Sequence, residues 1–212
     1  MTDAAALSAA LRATLPAAAL AWLDAASAGV AAGSDRALFL GVGQAGRRVG
    51  RQALLPGWSA DQAARVLLVL AIPAADPPRW LNRLDRVFQA GTVEELVPLY
   101  RALPLYPHQA LLTARAAEGV RSNLHPVFAA TAFENPYPAA HLDDRAFNQL
   151  VLKCFFVGED PGRILGLERR RNPDLGRMLA DYARERRAAQ RSLDPRLPPL
   201  ARACGADCPD QP

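Results

Sequence analysis

The chain has 212 residues, a length that suits one domain or one domain with a short appendage. Hydrophobic residues make up 50% and charged residues 22% of it, a balance that excludes intrinsic disorder over most of the length. Alanine (43) and leucine (31) are abundant, whereas valine, isoleucine and threonine together number 19. Because unbranched side chains favour helices and branched ones favour strands, this composition argues against a sheet-rich fold.

The net charge is +4, from 25 basic and 21 acidic residues. An excess of basic residues indicates nucleic-acid binding when these residues are concentrated on one face of the protein. Here the excess is explained equally well by a coding sequence rich in G and C, which favours arginine. We therefore expect no nucleic-acid partner. The three cysteines are too few for a disulfide framework, so a reducing compartment is expected.

Neither a membrane span nor an export signal is predicted. The longest apolar stretch, residues 66–75, contains Pro73 and is half as long as the roughly 20 residues that a spanning helix needs. Asp3 stands where a secretory signal would carry basic residues, and Asp24 interrupts the alanine-rich part that follows.

Two alanine-rich helices are predicted at the start of the chain, over residues 3–14 and 17–28. Pro16 separates them, close to the first turn of the second helix, where proline is well tolerated. A third helix is expected to begin at Ser34 and to run to about Gly50.

The third predicted helix contains three glycines that match a dinucleotide-binding pattern, G-x-G-x-x-G. They are Gly41, Gly43 and Gly46, and Asp61 lies at about the distance of the acid that binds the ribose. However, the second strand that the motif requires is replaced by a turn-like LPGWSA. We therefore favour the alternative, a helix whose small residues permit close packing.

Two later helix starts match the capping box, in which two side chains three residues apart each bind the other residue's backbone N–H. The pairs are Ser59 with Gln62 and Thr92 with Glu95. Each pair predicts that a helix begins at its first residue.

The overall pattern predicts an all-α fold, a compact bundle of nine or ten short helices, with solenoid-like helix pairs as an alternative. Residues 63–72 and 147–157 are apolar nearly all round, so we expect them to form the central helices. The helical domain is predicted over residues 1–192. Residues 193–212 are rich in proline and lack helical periodicity, which predicts a tail that either wraps the domain or is mobile.

A proline-rich link precedes the second central helix, in the sequence FENPYPAAHLDDRAFN. The prolines restrict the residue before each of them, so Asn135 and Tyr137 are predicted to be extended. Asp143 is expected to cap the next helix, with Asp144 in its first turn.

Glu134, Tyr137 and His141 remain on this stiff link without an obvious structural role, and such loops often carry binding or catalytic groups. His141 with Asp143 or Asp144 would suit a metal or a proton transfer, although a loop histidine is more often simply hydrogen-bonded. We therefore treat Glu134, Asn135, Tyr137 and His141 as candidate ligand-binding residues.

Arginines cluster in and before the last predicted helix, which Asn172 caps and Pro173 begins. Guanidinium groups match phosphate and carboxylate in shape and charge, so these arginines are candidates for binding an anionic metabolite. The alternative is a solvated face with ion pairs. The candidates are Arg169, Arg170, Arg184 and Arg187.

Three segments of the second half carry a family resemblance: NPYPAAHL, FNQLVLKC and RRNPDLGRMLADYARERRAA. With them, residues 133–192 resemble the EboA family. The matching positions are Asn135, Pro136, Tyr137, His141, Phe147, Asn148, Asn172, Pro173, Asp181, Tyr182 and Arg186. Leu150 departs from the expected methionine, a change that keeps the side-chain volume.

EboA proteins are encoded in bacterial clusters beside a UbiA-like prenyltransferase and hydrolase-like proteins, and these clusters are associated with the traffic of secondary metabolites. The resemblance thus implies a soluble binding or scaffold protein, with the products of the same cluster as partners. It implies a cytoplasmic location, with peripheral attachment at the inner membrane as a second option. It assigns no catalytic residue, metal or cofactor.

Two main hypotheses remain open at this point, and a third, nucleic-acid binding through the arginines, predicts an affinity that falls steeply with added salt. In the first, the NPYP link and the arginines form an open binding surface. In the second, the chain is an unrecognised enzyme in which Glu134, Tyr137 and His141 converge around a pocket.

Overall fold

The computed structural model describes residues 2–208, and within these residues the fold is all-α apart from one short hairpin. The described residues form twelve α-helices, against the nine or ten predicted. They are α1 (Ala4–Thr14), α2 (Ala17–Ala31), α3 (Asp35–Val49), α4 (Ala60–Leu70), α5 (Pro77–Ala90), α6 (Val93–Arg101), α7 (Thr113–Arg121), α8 (His125–Ala132), α9 (Tyr137–His141), α10 (Asp144–Val157), α11 (Pro173–Ala188) and α12 (Leu197–Ala203).

Short elements complete the chain between the helices. Strands β1 (Ala53–Leu55) and β2 (Trp58–Ser59) form the antiparallel hairpin. The 3₁₀ segments are Leu103–Leu105, Gln109–Leu112, Pro161–Arg163 and Leu167–Arg170.

The chain divides into two compact units, with the boundary after Leu112. The first unit contains α1 to α6 and the hairpin, and the second contains α7 to α12. No helix of residues 2–208 combines the length and the apolar character that crossing a bilayer would require.

Most helices begin where the sequence predicts. The side chain of Ser34 accepts a hydrogen bond from the backbone N–H of Ala37 at 3.2 Å, and that of Asp143 accepts one from Ala146 at 2.7 Å. Both capping boxes, which begin at Ser59 and Thr92, are present. Helix starts follow from sequence because the capping groups are local.

The glycine pattern lies inside α3, not after a strand, so the dinucleotide interpretation is wrong. A β-carbon at Gly41 would lie 3.1 Å from the side chain of Leu68 in α4. The missing side chain therefore lets α3 and α4 approach closely, which confirms the packing interpretation.

Asp61, the acid that would have bound a ribose, instead forms a buried ion pair with Arg65 one turn later in α4. Arg65 also donates from Nε to the carbonyl oxygen of Val42 in α3, at 3.2 Å. Burial acts to raise the pKa of Asp61. The hydrogen bonds from the Ser59 hydroxyl and from Arg65 outweigh it, so this pKa lies below its ordinary value.

Helix α10 is buried along most of its length, as predicted for a central helix. Phe147, Leu150 and Cys154 are fully buried. The prediction is wrong for the last turn, where Phe156 is 73% exposed. An apolar run predicts burial of the helix as a whole, but it does not show where the helix leaves the core.

The predicted tail contains α12, so its lack of helical periodicity was misleading over Leu197–Ala203. This helix packs against α11, and Cys204 and Cys208 are buried with free thiols. Over residues 193–208 the tail therefore wraps the second unit, while residues 209–212 lie outside the described part. The predicted domain limits at residues 1–192 stay a prediction.

Replacing Gly176 of α11 with alanine is expected to destabilise the second unit. The new β-carbon would lie 2.9 Å from the carbonyl oxygen of Cys204, a backbone atom that cannot turn away. We expect a loss of about 1–3 kcal/mol in the free energy of unfolding. Gly43→Ala is the control: its β-carbon would meet only a Glu95 oxygen at 3.6 Å, so it should leave stability unchanged or raise it. Thermal denaturation of both variants would check the difference.

Replacing Asp61 with asparagine is expected to remove stability in a pH-dependent way. Because the pKa of Asp61 is lowered on folding, its charge contributes stability above the ordinary value of 3.8, and this contribution is lost as the pH falls below that value. At neutral pH the variant leaves Arg65 buried without its acid, at a cost of about 3–5 kcal/mol. Melting temperatures across an acid series should show wild type and variant converging at low pH. Asp24→Asn, at an exposed ion pair with Arg12, should differ little from wild type throughout.

Candidate functional site: the NPYP segment and its clamp

The NPYP segment, residues 134–142, follows α8 and contains the short helix α9. The Asn135 side chain accepts from the backbone N–H of Tyr137 at 3.0 Å and donates to the carbonyl oxygen of Ala130 at 3.1 Å. Pro136 has helical angles, φ −75° and ψ −16°. Tyr137 thus begins a helix, and the prediction that it is extended is wrong, because prolines at the start of a helix cost no hydrogen bond.

Tyr137 points into the core of the second unit. It is 1% exposed, and burial raises the pKa of its hydroxyl to about 12. The His141 ring stacks on it, with the ring centroids 4.5 Å apart. This stacking fixes the imidazole at the end of α9, in a partly exposed position.

Glu134 is the exposed residue at the start of the segment, and its backbone is left-handed with φ +55°. Its N–H donates to the carbonyl oxygen of Arg163 at 2.9 Å, and its carboxylate accepts from Nε of the same arginine at 3.3 Å. A left-handed backbone at a residue other than glycine costs of order 1–3 kcal/mol. The surrounding contacts therefore hold this carboxylate outward against a local strain.

Arg170 clamps the other end of the segment. It donates to the carbonyl oxygens of Ala139 at 2.7 Å and Leu142 at 2.8 Å, where α9 ends. It also pairs with Asp144 at 2.9 Å, and its guanidinium lies 4.7 Å from the ring centre of Phe147. Most N–H donors of Arg170 are therefore occupied by contacts within the fold, and few of them remain to bind a ligand.

Between Arg163 and Arg170 the chain lies directly on α9. Gly166 has φ +77°, and a β-carbon there would lie 2.7 Å from that of Ala139. Arg169 is exposed beside this contact. The geometry thus gathers Glu134, His141, Arg163 and Arg169 around one short helix; we call these four residues the NPYP surface.

A reciprocal amide pair links α10 to the start of α11. Asn148 and Asn172 each donate to the other's side-chain oxygen at 3.0 Å, and Asn172 also accepts from the backbone N–H of Leu175 as the cap of α11. The cap is predictable from the sequence, whereas the pair is not. The contacts of Arg163 are not predictable either, since nothing in its local sequence distinguishes it.

Two of the candidate arginines lie elsewhere. Arg184 is exposed and pairs with Asp181, and it is twelve residues, or about 18 Å of helix, beyond Asn172. Arg187 is one turn further along α11 and is only partly exposed. The ion-paired solvated face therefore describes Arg184, and a ligand-binding role for either arginine stays a prediction.

The structure does not bring Glu134, Tyr137 and His141 together as a reacting group. Tyr137 is in the core, and the Glu134 carboxylate is directed to Arg163. A catalytic triad would need these groups within hydrogen-bond reach of each other around a cavity. The convergence of all three side chains, which the enzyme hypothesis predicts, is therefore not present.

A comparison with protein families gives a match over residues 52–201, to the model described as metabolite traffic protein EboA. The chain belongs to the EboA family. The family match includes the whole NPYP surface and α11, and it extends back to the Asp61–Arg65 pair in α4. No curated protein and no solved structure matches the chain.

Replacing Arg170 with alanine is expected to release the end of α9 and to lower the free energy of unfolding by about 2–3 kcal/mol, because several charge-assisted hydrogen bonds are lost. Arg169→Ala, at the exposed neighbour, should change it by less than about 0.5 kcal/mol. Denaturant unfolding would compare the two, and hydrogen exchange should show faster exchange in α9 for the Arg170 variant alone. Equal stability of the two variants would contradict the clamp.

Proposed function

We propose that this EboA-family protein acts in metabolite traffic as a binding or scaffold protein, with the NPYP surface as its contact site. One observation carries the proposal: Arg169 is exposed beside α9 and forms no ion pair with an acidic side chain of residues 2–208. The nearby Glu134 carboxylate is bound by Arg163, so it does not compete for Arg169. The buried members of the segment, Asn135 and Tyr137, supply the rigidity that a preorganised surface needs.

An anionic metabolite is the ligand that fits the chemistry of this surface. Arg169 is exposed, and its fork of N–H donors matches a carboxylate or a phosphate. His141 is held by its ring stacking and contributes a second polar group. Arg163 is already balanced by Glu134 and Glu159, so it orients the surface more than it attracts charge.

The cellular setting is part of the proposal. The family description supports a role in metabolite traffic, and we infer a cytoplasmic location in a bacterium. Its partners would be products of the same gene cluster, among them the prenyltransferase-like membrane protein and the hydrolase-like proteins.

The test is to purify a tagged copy of the full chain from its native host and to profile the small molecules that stay bound. We expect enrichment of a compound with a carboxylate or phosphate group. Arg169→Ala should weaken its binding about tenfold, since a hydrogen bond to a charged group is lost. Arg177→Ala is the matched control, because Arg177 is an exposed arginine paired with Asp174 on α11.

Three results would contradict the proposal. One is the absence of any enriched compound, and another is equal loss of binding in the Arg177→Ala control. The third is chemical conversion of the bound compound by the purified chain, which would favour the enzyme hypothesis.

A further inference from the structure

An apolar patch is exposed at the end of α10, in the second unit. Phe156 is 73% exposed, Val157 is 36% exposed, and Leu124 in the loop before α8 is 45% exposed. Phe156 is the most exposed of the large apolar side chains in the described residues, and it is the one aromatic ring among the exposed ones. These three residues are called the Phe156 patch.

Two polar links on either side bring the parts of the patch together. The ammonium group of Lys153 donates to the carbonyl oxygens of Val120 at 2.8 Å and Ser122 at 2.6 Å. Nε2 of His125 lies 2.9 Å from a carboxylate oxygen of Glu159. In the sequence, Leu124 lies between Ser122 and His125, and Phe156 and Val157 lie between Lys153 and Glu159. Because Lys153 is bonded to Ser122 and Glu159 to His125, the two segments are neighbours, and the three apolar residues lie on the same edge of the second unit.

The acidic groups beside the patch are neutralised by basic partners. Glu159 pairs with Arg163 and contacts His125, and Asp160 pairs with Arg196 at 2.9 Å.

Two basic groups beside the patch have no acidic partner among the described residues. Arg121 is exposed at the end of α7, and Lys153 is bonded only to carbonyl oxygens and to the face of Phe128. The uncompensated charges at the edge of the patch are therefore both positive.

Size and charge together indicate the occupant. Three side chains expose roughly 300 Å², well below the 800 Å² or so that each partner buries in a stable protein interface. A second copy of the chain would bring like charges together. An anionic bilayer surface fits both properties, because apolar side chains enter the interface while the exposed Arg121 lies among the lipid phosphates.

We propose that the Phe156 patch docks the protein on the surface of an anionic lipid bilayer. The patch shares no residue with the NPYP surface, although Glu159 links the two through Arg163. Membrane binding can therefore be lost while metabolite binding is retained, and the reverse. Docking of this kind is weak and reversible, because it depends on a few side chains and not on a spanning helix.

The test is sedimentation of the full chain with lipid vesicles. The chain should sediment with vesicles of phosphatidylcholine and phosphatidylglycerol, and much less with phosphatidylcholine alone. Added salt should release it. Sedimentation that is equal with the two kinds of vesicle, or absent with both, would overturn the proposal.

Variants identify the surface. Phe156→Ser should lower the ratio of bound to free protein about tenfold, because one large apolar contact is lost. Arg121→Gln should lower it about fivefold. Leu40→Ser, at a leucine of α3 that is 47% exposed in the first unit, is the control and should bind as wild type does. Circular dichroism would show that all three variants are folded.

Two outcomes of the variant series would also overturn the proposal. One is unchanged vesicle binding by Phe156→Ser. The other is self-association in the absence of lipid that Phe156→Ser abolishes, which would make a second copy the occupant. Neither outcome affects the metabolite profile, so the two proposals are tested independently.

Discussion

The structure depends on satisfying the ends of many short helices. Each helix leaves about four N–H groups and four carbonyl groups without a partner inside it, and twelve helices in the described residues multiply this demand. Serine, threonine, aspartate and asparagine serve the N–H groups. Basic side chains bind several of the carbonyl oxygens at or just after helix ends. The pairs are Arg83 with Val30, Lys153 with Val120 and Ser122, and Arg170 with Ala139 and Leu142.

This demand explains why residues that look functional in the sequence are structural in the fold. Asn135, Asn172 and Arg170 are polar and lie in the segments that carry the family resemblance, yet each of them bonds to backbone at a helix end or in a turn. These structural residues in turn position the exposed polar groups of the NPYP surface.

The class of the fold, most helix starts and the family were predictable from the sequence, because composition and capping are local properties. The NPYP segment was only partly predictable. Proline restricts the residue before it, but the Asn135 side chain turns the chain into α9, and a local rule does not show that bond. The roles of Arg163 and Arg170 depend on residues about thirty positions away. The exposure of Phe156 depends on where α10 leaves the core, which an apolar run does not reveal.

The reactivity of the buried cysteines can be used to measure how often the second unit opens. All three thiols of the chain lie in that unit, and each of them is buried. Burial raises the pKa of Cys154 to about 12 and that of Cys204 above its ordinary value, so little reactive thiolate exists while the unit is closed. The rate at which an alkylating reagent labels the chain will therefore follow the opening of this unit. The first unit has no thiol, so its opening will not contribute to the labelling.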